Sequence, residues 1–92
     1  MRTAEDIVRD MGEINNTDKL EFSHGRGRGE YAHAYETLDY ETAYKRINGV
    51  SGFYMVGFMI GFFASYELHE IPDKWRDTVE QHRKAVEMNG LA

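Results

Sequence analysis

The chain has 92 residues, a net charge of -5 and no cysteine. A chain of this length forms one domain, residues 1–92, whose modest core needs neither metal nor disulfide support. The lack of cysteine excludes disulfides and thiolate catalysis, and the acidic charge disfavours direct binding to nucleic acid or anionic lipid. The first residues show no apolar signal-peptide region, so we expect a cytoplasmic protein.

The first predicted helix spans about residues 4–14. Thr3 and Asp6 have the spacing of an N-cap residue and an acid three positions later. Apolar residues then follow at near-helical intervals: Ile7, Val8, Met11 and Ile14. The turn-forming residues 15–18 end this helix.

Residues 19–36 allow two interpretations. Lys19 to Ser23 alternates apolar and polar residues, which favours a short strand, and the glycines of HGRGRG, residues 24–29, predict a loop. The two alanines and two glutamates after that loop favour a helix from residue 30. However, Tyr31, His33 and Tyr35 also alternate as in a strand, so a β-hairpin near residues 19–36 is the alternative.

A short helix is predicted to begin after Asp39, which has the side chain of an N-cap residue. Tyr40, Ala43, Tyr44 and Ile47 form its apolar stripe. Asn48 and Gly49 are typical of a helix end, so the helix is expected to stop there.

The uncharged stretch from Asn48 to Tyr66 predicts a central helix, capped by Ser51 and extending to about His69. Within it, Gly57, Gly61 and Ser65 recur every fourth residue and share one strip. Another helix can approach closely along such a strip, either from the same chain or from a second copy in a twofold contact.

The same stretch also meets the first test for a transmembrane helix, because its uncharged run is nearly long enough to cross a bilayer. Its glycines, serines and tyrosines dilute the gain from inserting the apolar residues. We therefore favour a buried helix and keep a single-span membrane protein as the alternative.

The last predicted helix begins at Pro72 and Asp73 and ends at Asn89-Gly90. One face carries an apolar seam that should pack on the central helix, formed by Trp75, Val79, His82 and Val86. The opposite side carries a row of carboxylates, hereafter the acidic row: Glu70, Asp73, Asp77, Glu80 and Glu87. The predicted fold is therefore a mostly α, single-domain bundle of about four helices around a glycine-rich hydrophobic helix.

No motif in the chain predicts catalysis or a cofactor. The pair Glu30-x-x-His33 has the spacing used by carboxylate-bridged di-iron bundles, but those bundles need the pair twice and it occurs once here. Ser23, Ser51 and Ser65 all fit structural positions, so a nucleophilic serine is not indicated. We expect a protein that is not an enzyme and holds no metal.

The acidic row instead predicts a protein partner with a basic surface, since its carboxylates recur at intervals comparable with the phosphates of nucleic acid. Arg26 and Arg28, in the predicted glycine loop, are further candidate contacts. The leading hypothesis is a non-enzymatic protein-binding module, resembling in size and charge the small bacteriophage inhibitors of nucleic-acid-handling proteins, although no motif carries that analogy. A helical metal- or ligand-binding protein is a further alternative.

Overall fold

The computed structural model describes residues 3–11, 14–36, 39–47 and 52–91, which are mostly helical and contain no strand. This confirms the mostly helical class, with five α-helices in these residues rather than about four, while the predicted β-hairpin is absent from them. The elements, in chain order, are α1 (Ala4–Met11), α2 (Asn16–Tyr31), a π-helical turn (Ala32–Glu36), α3 (Tyr40–Lys45), α4 (Gly52–Phe62), a 3-10 turn (Leu68–Glu70) and α5 (Asp73–Met88).

The first helix starts where the sequence predicts it, because local side chains satisfy its free N–H groups. The backbone N–H of Asp6 donates to the Thr3 hydroxyl at 3.1 Å, and the Thr3 N–H donates to the Asp6 carboxylate at 3.2 Å. This reciprocal pair fixes the start of α1. The structure describes α1 as far as Met11, and Ile14, the predicted end, is not helical.

The starts of α3 and α5 also follow their predicted signals. Asp39 accepts from the Glu41 N–H at 3.1 Å and from the Thr42 hydroxyl at 2.6 Å. Pro72, predicted as the first residue of the last helix, instead occupies the N-cap position, so α5 begins one residue later than predicted. At the other end of α5, Gly90 has a φ of 66°, the left-handed conformation that commonly follows a helix.

The predictions for residues 19–29 are wrong, because one helix, α2, runs through both the expected strand and the expected glycine loop. Asn15 caps this helix: the Asp18 N–H donates to its side chain at 2.9 Å, and the Asn15 N–H donates to the Asp18 carboxylate at 3.0 Å. The residues read as a turn cluster are therefore the cap and first turn of α2.

Close packing against α4 explains why a glycine-rich segment is helical. Gly25 and Gly29 of α2 face α4, and Gly57 and Gly61 of α4 face α2. A Cβ atom at any of these four positions would overlap the backbone of the opposite helix, for example the Tyr54 carbonyl at Gly25. The two backbones therefore touch, and their packing offsets the entropy lost in ordering the glycines.

The central helix is shorter than predicted, because α4 ends at Phe62 rather than near His69. Arg83 of α5 donates to the backbone carbonyls of Phe63 at 2.9 Å and Tyr66 at 2.8 Å. The guanidinium group thus satisfies carbonyls that a longer helix would have bonded internally. Ser65 lies beyond α4 and is exposed, so it is not part of the Gly57 and Gly61 strip.

Two predicted features fall outside the described residues: the helix stop at Asn48-Gly49 and the Ser51 cap. Within the described part of the chain, no helix combines the length and the apolar character needed to cross a bilayer.

Three clusters of buried side chains form the core of the described residues. Helix α4 contributes to the two larger ones, and the third joins Ile7 of α1 to Ala85 of α5. In one of the larger clusters, Phe58, Phe62 and Phe63 pack with Tyr40 of α3 and Val79 of α5. In the other, Phe53 and Val56 pack with Phe22 of α2 and Val86 of α5. The apolar seam of α5 thus packs on the central helix as predicted, with Val79 and Val86 almost fully buried.

Candidate functional site

The acidic row lies along the solvent side of α5 and the turn before it. Glu70, Asp73, Asp77 and Glu87 are exposed, and Glu80 is half-buried. The Asp73 side chain, at the start of the helix, is 91% exposed. Because Val79 and Val86 hold the opposite face of α5 in the core, the helix cannot turn these carboxylates away from solvent.

The arginines beside the row point back into the protein. Arg76 donates from Nε to the Leu68 carbonyl and from Nη2 to the Ile71 carbonyl, both at 3.0 Å. Its Nη1 atom lies 2.8 Å from the Asp73 carboxylate. Arg83 caps the end of α4, as described above. Both guanidinium groups are therefore held by backbone carbonyls, and Arg76 also forms an ion pair with Asp73 of the row.

The two halves of the row differ in charge. In the C-terminal half, the Lys84 ammonium lies 3.4 Å from the Glu80 carboxylate. In the N-terminal half, the exposed side chain of Glu67 adds to the row, and its N–H donates to the Glu70 carboxylate at 3.0 Å. The densest negative charge therefore lies around the start of α5. Glu67 was not predicted as a member of the acidic row, although the spacing Glu67-x-x-Glu70 in the sequence indicates it.

Arg26 and Arg28 lie on α2, and each pairs with a carboxylate nearby in the chain. Arg26 is 3.4 Å from Glu30. Arg28 is 3.1 Å from Glu36, which also lies 3.1 Å from Arg46 beyond α3. The structure therefore does not place these arginines on a loop. Arg28 instead joins α2 to the segment that follows α3.

Gly57 and Gly61, predicted as a helix-packing or dimer strip, are buried against α2. A helix of the same chain therefore occupies the strip. A second copy would have to contact another surface of the protein.

An apolar cleft that the sequence analysis did not predict opens between α3, α4 and α5. Its volume is about 380 Å³, and it is lined by Tyr40, Tyr44, Met55, Met59, Trp75, Thr78 and His82. The aromatic stripe of α3 and the apolar seam of α5 do face α4, as their spacing indicates. The six-residue α3 and the small side chain of Thr78 leave space between them.

The wall of this cleft is largely uncharged. Burial, together with the neighbouring Tyr44, raises the pKa of the Tyr40 hydroxyl well above its usual value of 10. Tyr40 therefore stays neutral at physiological pH. Apart from His82, the lining residues offer no compensating charge to a charged ligand.

Glu30 and His33 are not brought together as metal ligands. Glu30 is directed toward Arg26, while the His33 ring packs edge-on against Phe62 and Tyr66, with centroid separations of 5.3 Å in both cases. Among the residues that the structure describes, no three His, Asp or Glu side chains are grouped so that they could hold a metal ion.

Comparison of the chain with protein-family models, curated proteins and solved structures gave no match. Function must therefore be inferred from the surfaces of the chain itself.

Proposed function

We propose that the protein is a non-enzymatic protein-binding module that uses the acidic row to engage a basic surface of a partner that handles nucleic acid. The observation that carries this proposal is the exposure of Glu67, Glu70, Asp73 and Asp77. The two cations beside them, Arg76 and Lys74, pair with Asp73 and with Glu41 of α3 respectively. The start of α5 therefore presents net negative charge to solvent.

The spacing of the row supports an inhibitory action. Neighbouring carboxylates three or four residues apart on a helix are separated by about 5 to 6 Å along the axis. This is of the same order as the spacing of phosphates along one nucleic-acid strand. A basic groove that binds phosphates can therefore bind this helix instead, which would exclude the nucleic acid. Electrostatic complementarity of this kind also speeds association at low salt.

A capture experiment tests the proposal. Tagged protein is incubated with nuclease-treated lysate of the organism that encodes it, washed with increasing salt, and its partners are identified by mass spectrometry. We expect a nucleic-acid-handling protein that is released by moderate salt and by added DNA. Replacing Asp73 and Asp77 by lysine should abolish its capture.

The matched control is Glu21→Lys, which makes the same type of charge change on α2. Glu21 lies outside the acidic row, so this variant should capture the partner as the unmodified protein does. Equal capture by the Asp73→Lys/Asp77→Lys variant and the unmodified protein would overturn the proposal. So would a partner whose retention does not respond to salt.

A second candidate function, small-ligand binding, is favoured by the cleft between α3, α4 and α5. Its volume falls in the range of ligand pockets, and its lining combines aromatic rings and methionines with the hydroxyls of Tyr44 and Thr78. This lining suits a neutral aromatic molecule with one hydrogen-bonding group.

Phenol is a suitable probe for this second candidate. In a two-dimensional NMR titration, we expect shift changes confined to the lining residues of the cleft. Thr78→Phe should fill the cleft and remove them, whereas Thr17→Phe, on the exposed first turn of α2, should not. Shift changes that are absent, or that are spread over the whole surface, would exclude this function.

A further inference from the structure

The side of α2 that faces away from α4 is an exposed surface that no other described element covers. Leu20, Tyr31 and Tyr35 have 56%, 53% and 78% of their surface accessible. Gly27 lies between them on the same side, and a Cβ added there would meet no atom within 4 Å. Gly27 thus points away from the protein, opposite to Gly25 and Gly29.

The chemistry of this surface resembles that of an interface. A central uncharged stripe runs along α2 into the π-helical turn, and we call it the α2 outer stripe: Leu20, His24, Gly27, Tyr31 and Tyr35. The rings of Tyr31 and Tyr35 contact each other, with centroids 5.2 Å apart. Charged residues, including Lys19, Arg26 and Glu30, lie beside the stripe. Apolar and aromatic residues at the centre with charges at the rim are typical of protein interfaces.

The order of residues in the stripe fits a second copy of the same helix. The stripe is symmetric in sequence about the point between Gly27 and Arg28. Leu20 and Tyr35 lie at equal numbers of residues on either side of that point, and His24 and Tyr31 do so as well. In an antiparallel helix pair related by a twofold axis at that point, Leu20 of one copy meets Tyr35 of the other, and His24 meets Tyr31. Each large side chain therefore finds a partner.

The charges beside the stripe are complementary in the same arrangement. Arg26 and Glu30 already form an ion pair within one chain, at 3.4 Å, on one side of the stripe. The antiparallel twofold axis brings Arg26 of one copy beside Glu30 of the other, and the reverse. The four groups then alternate in sign along one side of the contact.

We propose that two copies of this protein associate through the α2 outer stripe as an antiparallel pair, with the twofold axis at the point between Gly27 and Arg28. The absent side chain of Gly27 permits close approach of the two helices at their crossing point. This contact is independent of the acidic row, because that row lies on α5.

Analytical ultracentrifugation over a concentration series tests the association. The unmodified protein should change from the mass of one chain to that of two as its concentration rises. The Tyr31→Lys/Tyr35→Lys variant should remain a single chain. Met88→Lys, a control at an exposed apolar residue on α5, should associate like the unmodified protein. A single-chain mass at every concentration would overturn the proposal and leave the stripe for another partner.

Charge exchange tests the antiparallel arrangement. Arg26→Glu alone and Glu30→Arg alone should each weaken the association by about tenfold, since each places like charges in contact across the axis. The two substitutions together should restore the association. Failure of the double variant to recover would overturn the proposed pairing.

Cross-linking locates the axis, and the native chain offers no competing thiol. Gly27→Cys places one thiol of each copy near the axis, so added diamide should oxidise the two thiols to a disulfide and link the copies rapidly. Ser23→Cys, on the same side of α2 but one turn away, should link much more slowly. Equal rates for the two variants would indicate a parallel or nonspecific contact and overturn the proposal.

Discussion

At the scale of single residues, glycines decide how closely α2 and α4 can pack. Gly25, Gly29, Gly57 and Gly61 each lie against backbone atoms of the opposite helix, where no flexible side chain can move aside. Gly27 belongs to the same helix as Gly25 but faces open space. The same residue type is therefore essential to packing at four positions and only weakens the helix at a fifth.

This difference can be measured with Gly25→Ala and Gly27→Ala. Gly25→Ala should lower the free energy of unfolding by about 3 kcal/mol, because the added methyl group forces the two helices apart. Gly27→Ala should raise it by about 0.5 to 1 kcal/mol, since alanine favours helix and the site is open. Urea unfolding followed by circular dichroism, at low protein concentration, provides both values. Equal stabilities for the two variants would contradict the close packing.

Thr3 and Asp6 provide a prediction about pH. The Thr3 backbone N–H, and then its hydroxyl, lower the pKa of the Asp6 carboxyl below its ordinary value of 3.8. A carboxyl whose pKa is lower in the folded state stabilises the fold above its unfolded pKa, and that stability is lost as pH falls through the folded pKa. An NMR titration should therefore show Asp6 titrating below 3.8. Thr3→Ala removes the hydroxyl but keeps the backbone N–H, so it should move the Asp6 pKa part of the way back upward. An unchanged pKa would contradict the contribution of the hydroxyl.

At the scale of elements, α5 determines where α4 ends. The Arg83 guanidinium lies between the two helices and donates to the Phe63 and Tyr66 carbonyls. The next residue, Lys84, points to solvent and pairs only with Glu80 at 3.4 Å. Two neighbouring cations therefore have different roles, one in joining elements and one on the surface.

Methionine substitutions separate these roles, because methionine keeps an unbranched apolar side chain while removing the charge. Arg83→Met should lower the free energy of unfolding by about 2 kcal/mol, since it removes the donor of the Tyr66 carbonyl and leaves the Phe63 carbonyl with the Tyr66 N–H alone. Lys84→Met should change it by less than about 0.5 kcal/mol, as exposed ion pairs contribute little. Thermal and urea unfolding would test this, and similar losses for both variants would argue against the capping role of Arg83.

Helix α2 should depend on its tertiary contact more than α5 does. Its three glycines each cost about 1 kcal/mol relative to alanine, so an isolated peptide of residues 14–36 should show little helix. A peptide of residues 70–91, which has no glycine inside α5, should be measurably more helical by circular dichroism. A glycine-rich peptide as helical as the α5 peptide would mean that local interactions alone form α2.

At the scale of the whole molecule, α4 connects the two larger core clusters. Phe58 and Phe62 pack with α3 and α5, while Phe53 and Val56 pack with α2 and α5. The helix is also in backbone contact with α2 along its length. The short helix α3, by contrast, spans only six residues at the edge of one cluster.

Native-state hydrogen exchange should reveal this hierarchy. The slowest-exchanging amides should belong to the facing parts of α2 and α4, because exposing them requires global unfolding. Amides of α1 and α3 should exchange through smaller openings, with free energies below the global value. If α3 amides were protected longer than those of α4, the proposed central role of α4 would be contradicted.

Local chemistry allowed much of this fold to be predicted from sequence. Thr3 and Asp39 carry side chains that cap a helix, and Pro72 and Gly90 mark the two ends of α5. Such signals act within one helical turn, so they identify helix ends without knowledge of the fold. The exposed acidic row was likewise predictable, because apolar residues at helical spacing define the buried side of α5 and thus its opposite side.

Only the tertiary structure decided the helical state of residues 19–29 and the end of α4. The local propensity of Gly25 and Gly29 predicts a loop. Their spacing of four residues, which is the same as that of Gly57 and Gly61, instead indicates a helix. Their missing side chains become favourable only when a second backbone fills the space. The end of α4 likewise depends on Arg83, a residue distant in sequence. Contacts between distant segments therefore determined the helical state of α2 and the end of α4, which the propensity within each segment could not determine.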